Sequence, residues 1–330
     1  MDDLPMVSII IPVRNAGETI EDLLKSLINL DYPKEKIEII IVDGQSTDDT
    51  IKRASKYPVK ILTEPGLGPS YARKIGIEAS RGEILAFTDG DCRVPKEWVK
   101  VIVEDLSQPE IGCVGGSVFV EESIKNNIYA VYADKSIMRI MPLAKEKEIL
   151  EEPKVFKHLA FCNMAIKREV LNEIGGLDTR FKTFEDVDTV QSICEKGYKM
   201  MLDPRMYVWH KHRQSLGAII KQTYSYGRGG PKFRKKHPKS QLTKFYRRGL
   251  IAFYTVMLIL ILGIITSILM QTPLPIIVAL APFIIGYVAG VAYYRVKGNS
   301  LKEAFIFTLI DALRIFAFSI GDLRGNLFDK

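Results

Sequence analysis

Short apolar runs alternate with stretches of helical periodicity through the first third of the chain. Val7–Ile11 is β-branched and stops at Pro12, and Glu18–Leu27 follows with helical spacing. Ile37–Val42 ends in Asp43-Gly44, and Thr47-Asp48-Asp49 offers capping chemistry for the next helix. Val59–Leu62 is a third strand, Gly66-Leu67-Gly68-Pro69-Ser70 leads into a helix through Ser80, and Glu83–Phe87 is a fourth strand. This order predicts an α/β domain with a mostly parallel sheet and helices on both faces. The strands are continuously apolar rather than alternating, as in sheets buried on both sides. Further on, Ile128–Met141 reads as a helix with an apolar stripe and Leu143–Lys157 is rich in Lys and Glu, so the segment Glu121–Lys157 is expected to be either a mobile acceptor-side flap or an ordinary solvated loop.

The C-terminal pattern is different. Leu250–Met270 has no charge over 21 residues, a Gln-Thr-Pro-Leu-Pro turn follows, and Ile276–Tyr294 is again uncharged. Two such runs read as a transmembrane hairpin, because core helices seldom lack a polar face over that length. Ala304–Ile320 contains Asp311 and Arg314 and fits either a third span or an interfacial helix.

Charge sharpens this division. Residues 1–210 carry 28 Lys/Arg against 35 Asp/Glu, whereas residues 211–330 carry 18 against 4. A basic tail can serve nucleic acid or an anionic membrane. Because twelve Lys/Arg between Lys211 and Arg248 abut the uncharged runs, the membrane is expected and nucleic acid is not. The positive-inside rule then leaves the N-terminal part in the cytoplasm of a multi-pass protein. The acidic start Met1-Asp2-Asp3, with an apolar run broken at Pro12, predicts no signal peptide. Cys92, Cys113, Cys162 and Cys194 have no metal spacing and suit a reducing compartment.

Candidate chemistry begins where Ile84-Leu85-Ala86-Phe87 runs into Thr88-Asp89-Gly90-Asp91. Open α/β sheets bind ligands at the carboxyl ends of their strands. Two carboxylates on such a turn suit Mg²⁺ or Mn²⁺ carrying a diphosphate, although Asp-Gly-Asp alone is also an ordinary turn. The loop after the first strand lacks Gly-x-Gly-x-x-Gly, which disfavours a dinucleotide-dependent dehydrogenase, and no P-loop is present.

These residues resemble the family 2 glycosyltransferases, inverting enzymes of the GT-A fold that use nucleotide-diphospho sugars, from about Val7 to Gly229. Ser8 to Asn15, through Pro12 and Arg14 and with Glu18 beyond, is similar to the first strand and its loop. Ile39 to Thr50, through Asp43, Gly44 and Ser46, is similar to the second strand, and the resemblance implies that Asp43 contacts the base or ribose. Ala72-Arg73 is similar to the family's Ala-Arg-Asn, with Lys74 where asparagine is usual. Asp89-Gly90-Asp91 is similar to its metal motif, which implies that Asp91 ligates the ion and Asp89 holds the ribose or a metal-bound water. A divalent ion there neutralises the nucleoside diphosphate as it leaves.

On the acceptor side, Phe161-Cys162-Asn163 and Phe184-Glu185-Asp186 resemble the family's later segments. Inversion needs a general base, and Asp186 is expected in that role with Glu185 orienting it or touching the sugar. Carboxylates that simply stabilise a helix N-terminus are the competing reading. Val208, His210 and His212 fall on one face of an extended segment with Trp209 on the other, and the resemblance implies that His210 meets the diphosphate or the metal. Gln222 sits where processive synthases carry Gln-x-x-Arg-Trp, but Ser225-Tyr226 follows it, so a single transfer is expected. Asn163, Gln222 and Arg228 are candidates for the acceptor or diphosphate.

The whole predicts a glycosyltransferase domain over residues 1–230, a basic juxtamembrane segment over 231–249 and a membrane region over 250–330. The expected donor is a UDP- or GDP-sugar, the cofactor Mn²⁺ or Mg²⁺, and the acceptor lipid-linked: a polyprenyl phosphate or a lipid-linked glycan. A processive polysaccharide synthase and a non-catalytic membrane scaffold are the alternatives.

Overall fold

The computed structural model describes residues 4–139 and 143–328. One compact unit runs to Asp134 and resumes over Arg139–His212; the other takes Lys135–Met138 and the chain from Arg213.

In the first unit the elements follow in the order β1 (Val7–Val13), α1 (Ile20–Ile28), β2 (Ile37–Asp43), α2 (Thr50–Ala54), β3 (Lys60–Thr63), α3 (Pro69–Glu78) and β4 (Ile84–Thr88). Next come β5 (Cys92–Arg93), α4 (Trp98–Leu106), β6 (Ile111–Gly115), β7 (Val118–Val120) and α5 (Ile128–Lys135). The unit closes with β8 (Glu148–Leu150), β9 (Asn163–Lys167), α6 (Arg168–Glu173), α7 (Glu185–Glu195), β10 (Lys199–Leu202) and β11 (Val208–His210).

An eight-stranded sheet has the order β3-β2-β1-β4-β9-β6-β10-β8. Pairing is parallel except where β9 runs against β4 and β6 and where β8 runs against β10. Ile9 and Ile11 of β1 pack with Leu23, Leu24 and Trp98 on one face, while Ile10 packs with Phe87, Met164, Val190 and Ile193 on the other. The period-two alternation of a strand is thus fully apolar because helices cover both faces. Strand β1 passes through Pro12, paired with Val42 of β2. On its other side the pairing with β4 has ended at Ile10 and Phe87, so a residue without an N–H is tolerated there.

The segment expected to be a flap is only partly free of the sheet. Its β8 extends the sheet edge, and Lys147 beside it reaches Asp105 at 2.7 Å and Asp203 at 3.2 Å. The expected helix from Ile128 ends at Lys135, and Ile140 and Met141 of that expectation lie outside the described residues, as do Met1–Asp3. A second sheet, β5-β11-β7, was not foreseen. It pairs Cys92 with His210 and Arg93 with Trp209.

The second unit holds α8 (Leu216–Lys236), α9 (Gln241–Met270), α10 (Leu274–Val296) and α11 (Leu301–Phe328). Helix α9 starts nine residues before the uncharged run because Ser240 caps it, accepting the Thr243 N–H at 3.1 Å. By length and composition α9, α10 and α11 could each cross a membrane; the apolar stretches of α9 and α10 are almost wholly exposed, and half of that of α11 is buried. Burial explains the charges on α11. Asp311 bonds Tyr294 and accepts from Ser136 at 3.0 Å, while Arg314 reaches Thr223 at 3.2 Å and the Met138 carbonyl at 3.4 Å. Helices α8 and α11 meet backbone to backbone. A Cβ on Gly227 would stand 2.2 Å from the Phe318 carbonyl oxygen, and one on Gly325 would stand 2.5 Å from that of Arg228. Gly230 leaves room for a buried ion pair, Arg234 to Asp322 at 2.5 Å.

Candidate active site

The carboxyl ends of β1, β2 and β4 lie side by side in the parallel register, with Val13 opposite Asp43. Their loops are tied together. Asn15, at φ 53°, donates its N–H to the Ser46 hydroxyl (2.8 Å) and accepts from the Thr47 N–H (2.8 Å). Asp43, 6% exposed, accepts the Ser46 N–H on both oxygens, and Gly44 donates to the Val13 carbonyl at 2.8 Å. Glu64, which sequence reasoning missed, is buried and accepts the N–H groups of Leu67 and Gly68 at 2.6 and 3.3 Å. It thereby shapes the turn that starts α3, where Gly68 has φ 106°. Pro12 and Arg14 border these loops, half-buried and exposed respectively.

Helix α3 delivers Arg73 into the centre. Its guanidinium is 4% exposed, lies 4.5 Å over the Phe161 ring, and reaches Asp89 at 2.8 Å and Glu185 at 3.1 Å. These carboxylates hold the guanidinium protonated against the cost of its burial, raising its pKa. Helix α7 begins with Glu185 and Asp186 after Phe184, whose φ of 68° turns the chain sharply at that point. A helix N-terminus favours carboxylates by about 0.3–1 kcal/mol. Here desolvation outweighs that: burial, with Asp186 as a repelling neighbour, pushes Glu185 up to about 7, and burial pushes Asp186 up to about 6 despite Arg73. Both side chains keep part of their surface open, although protein atoms surround them densely.

One residue from Gly90, a second cluster forms. Asp91, Cys92 and His210 bring their ligand atoms within 4.8 Å of one another. His210 Nε2 is 3.4 Å from Asp91 Oδ1, and Cys92 stands opposite His210 because β5 and β11 pair antiparallel. An oxygen and a nitrogen donor at this spacing could hold a divalent cation. Gly90 is packed where a Cβ would meet Val13 at 3.0 Å, and its carbonyl accepts from Thr19 at 2.7 Å, which fixes the turn between the clusters. Asp89 faces Arg73 and is not among the grouped metal-ligating atoms. Trp209 points away, covered by the Arg93 guanidinium at 4.3 Å. His212 follows His210 on the same side, its ring 4.7 Å away; burial holds its pKa down.

A cavity of about 710 Å³ opens beside Asp91, lined among others by Glu18, Thr19, Arg93, Glu121 and Lys211. Glu18 is exposed and pairs with Lys211 at 3.0 Å. Asn163 is placed differently from the expectation of a ligand contact. It is 2% exposed, accepts from Trp98 Nε1 (2.9 Å) and donates to the carbonyls of Ser117 (3.0 Å) and Met206 (2.9 Å), so its amide is spent on joining core loops. Gln222 and Arg228 lie on α8 in the second unit, half-buried and exposed.

Comparison with known proteins gives the family and the fold. The family model for glycosyl transferase family 2 matches residues 8–175. Glycosyltransferase AglE of Haloferax volcanii is 31% identical over 232 residues, covering 68% of this chain and 73% of the relative. A Methanococcus voltae enzyme, dolichyl N-acetyl-alpha-D-glucosaminyl phosphate 3-beta-D-2,3-diacetamido-2,3-dideoxy-beta-D-glucuronosyltransferase, is 27% identical over 320 residues, 89% of this chain and 98% of its own. Among solved structures, mannosyltransferase PcManGT from Pyrobaculum calidifontis, in complex with GDP-Man and Mn²⁺, matches with a TM-score of 0.62 at 21% identity. That match covers 99% of this chain and 88% of the other, a likeness of fold.

Proposed function

Because the chain belongs to glycosyl transferase family 2 and is therefore a glycosyltransferase, we propose that it is an inverting, divalent-metal-dependent enzyme that transfers one sugar from a nucleotide-diphospho sugar to a lipid-linked acceptor. The observation that carries this reading is the Arg73 bridge between Asp89, in the donor-side turn, and Glu185, beside Asp186. In the reaction an acceptor hydroxyl oxygen attacks the anomeric carbon, the bond from that carbon to the phosphate oxygen breaks, and the nucleoside diphosphate departs. Asp186 takes the hydroxyl proton, and a carboxylate held near the working pH is suited to that task. Glu185, fixed by Arg73, orients Asp186 or the sugar. Asp43 and the loop around Asn15 and Ser46 hold the nucleoside. Asp91 and His210 would hold the metal, which when bound offsets the charge of the leaving diphosphate.

Two things support a lipid-linked acceptor. The Methanococcus voltae relative, by its name, acts on a dolichyl-linked sugar phosphate, and three helices here are long and apolar enough to cross a membrane. A base is needed for a hydroxyl but not for a bare phosphate anion, so the raised carboxyl pair favours a lipid-linked glycan over a polyprenyl phosphate. The basic residues before α9 favour a cytoplasmic catalytic unit.

The test is a thermal-shift screen of the detergent-purified protein against UDP, GDP and their sugars, with Mn²⁺ or with EDTA. A metal-dependent rise in Tm with one nucleotide family is expected, since a ligand of the native state stabilises it by mass action. No shift with any of them, in folded protein, would overturn the reading in favour of a non-catalytic scaffold.

A further inference from the structure

The turn that closes β2 holds one amide that nothing in the protein engages. Asp43 accepts the Ser46 N–H on both oxygens, the Ser46 hydroxyl accepts the Asn15 N–H, and the Thr47 N–H donates to Asn15 Oδ1. Gln45, between them, is exposed, and its amide makes no hydrogen bond among the described residues. Yet its backbone sits at φ 62°, a left-handed conformation that glycine or asparagine adopts at less cost than glutamine. Such strain persists where a ligand needs the side chain. The amide is also seated. A Cβ on Gly66 would stand 3.3 Å from Gln45 Oε1, so the side chain rests on the bare face of that glycine. The loop beneath is interlocked in return. Glu64 donates its N–H to the Asp43 carbonyl at 2.9 Å, and a Cβ on Gly44 would stand 2.9 Å from Glu64 Oε1. Its buried carboxylate accepts the Leu67 and Gly68 N–H groups, which fixes the Gly66 turn on which Gln45 leans.

We propose that Gln45 is a specificity-determining residue of the donor site, whose amide reads, together with the Asp43 carboxylate, a nucleobase edge that sets a carbonyl beside a ring N–H. The inference rests on the nucleotide-sugar reading above. A carboxylate accepts and so takes the ring N–H, while the amide donates its NH₂ to the carbonyl oxygen. Uracil and guanine both present that edge. Cytosine and adenine present an amino group beside a bare ring nitrogen, which sets one lone pair against another at Asp43. Turning the Gln45 amide over answers the amino group but not the bare nitrogen. The carboxylate therefore holds that edge off, and it gains nothing from Gln45.

The experiment is calorimetric titration of the full chain in detergent, with Mn²⁺ present and UDP, CDP, GDP and ADP as the ligands. UDP and CDP differ only at the edge in question. In the wild type, UDP or GDP should bind about tenfold or more tighter than its amino counterpart, CDP or ADP. Equal or reversed affinities within both pairs overturn the proposal and leave the donor reading in place. No binding of any of the four, in folded protein, overturns that reading itself. Gln45→Gly relieves the left-handed backbone, so its Tm should hold or rise while the preferred nucleotide binds about tenfold more weakly and the preference narrows. Unchanged affinity and preference in this variant, or a loss of binding that comes with a lower Tm, overturns the role of Gln45. Gln45→Glu keeps the length of the side chain but only accepts. It should weaken UDP or GDP more than CDP or ADP, whereas equal weakening of all four is the effect of charge alone on the diphosphate and overturns the edge reading. If either variant fails to fold, the wild-type panel still decides.

Discussion

Arg73 Nη2 stands 2.8 Å from Asp89 Oδ1, a cation 4% exposed against a carboxylate that still meets solvent. Its Nη1 holds Glu185, and its Nε is buried with no hydrogen-bond partner. The guanidinium spends its planar fork on joining a donor-side acid to an acceptor-side acid. Lysine keeps the charge but not the fork. Arg73→Lys should therefore remain folded and lose at least tenfold in kcat, whereas Arg73→Met, which leaves two partly open carboxylates without their cation, should cost about 1–3 kcal/mol in stability. Steady-state kinetics and denaturant unfolding of both variants check this.

The pH dependence of rate and of stability should run in opposite directions. Asp186 at about 6 and Glu185 at about 7 lie above their ordinary values, so the base becomes protonated as pH falls through that range. Transfer should drop below about pH 6–7. The same shift means the folded state binds these protons more tightly than the unfolded chain does. The stability they contribute is full below the unfolded values and is lost as pH rises through about 6–7, so the apo protein should melt higher near pH 6 than near pH 8. Rate profiles and melting curves over that range settle both.

Two aspartates should separate binding from chemistry. Asp186→Asn keeps the donor loops and should bind the nucleotide normally while losing about 10²–10⁴-fold in transfer. Asp91→Ala removes a metal donor and should lose Mn²⁺-dependent nucleotide binding, measured by calorimetry with and without the ion. Near-normal transfer by Asp186→Asn would take the base away from Asp186.

Away from the site, Asp105 and Asp203 are both fully buried and share Lys147 and Arg205. Burial pushes Asp105 up to about 6, its Oδ2 has no partner, and Asp203 lies below the carboxylate range through Arg205 and Lys147 despite burial. Asparagine at 105 supplies a donor without a charge. Asp105→Asn should raise Tm by about 2–4 °C at pH 7.5 and lose that advantage near pH 5, where Asp105 is already protonated. Differential scanning calorimetry at the two pH values reads it.

Local pattern accounts for what was legible. The expected strands Val59–Leu62 and Glu83–Phe87 appear as Lys60–Thr63 and Ile84–Thr88, because each is a β-branched or apolar run with turn chemistry at both ends. Arg73, Asp89 and Glu185 were visible as motif residues, but their joining was not: they come from three elements, and only the fold brings them within 3.1 Å. Cys92 and Glu64 carry no local signal at all. Cys92 reaches His210 through a two-residue strand, too short for any periodicity to register. Asn163 looked like a site residue since it sits in a motif, yet Trp98, distant in sequence, claims its amide. The half-buried α11 explains why Asp311 and Arg314 made its nature ambiguous: their partners, Ser136 and Thr223, lie far upstream.

The glycine contacts of α8 and α11 also bear on how the chain is made. Gly227 leaves the ribosome before either apolar helix of the hairpin exists, and Gly321, which packs against the Tyr224 carbonyl, emerges only after both. Until then the bare backbone face of α8 and the buried cation of Arg234 have no counterpart. Completion of this unit is therefore a late, non-local event in synthesis, and any pause in translation between α10 and α11 prolongs the life of an open intermediate.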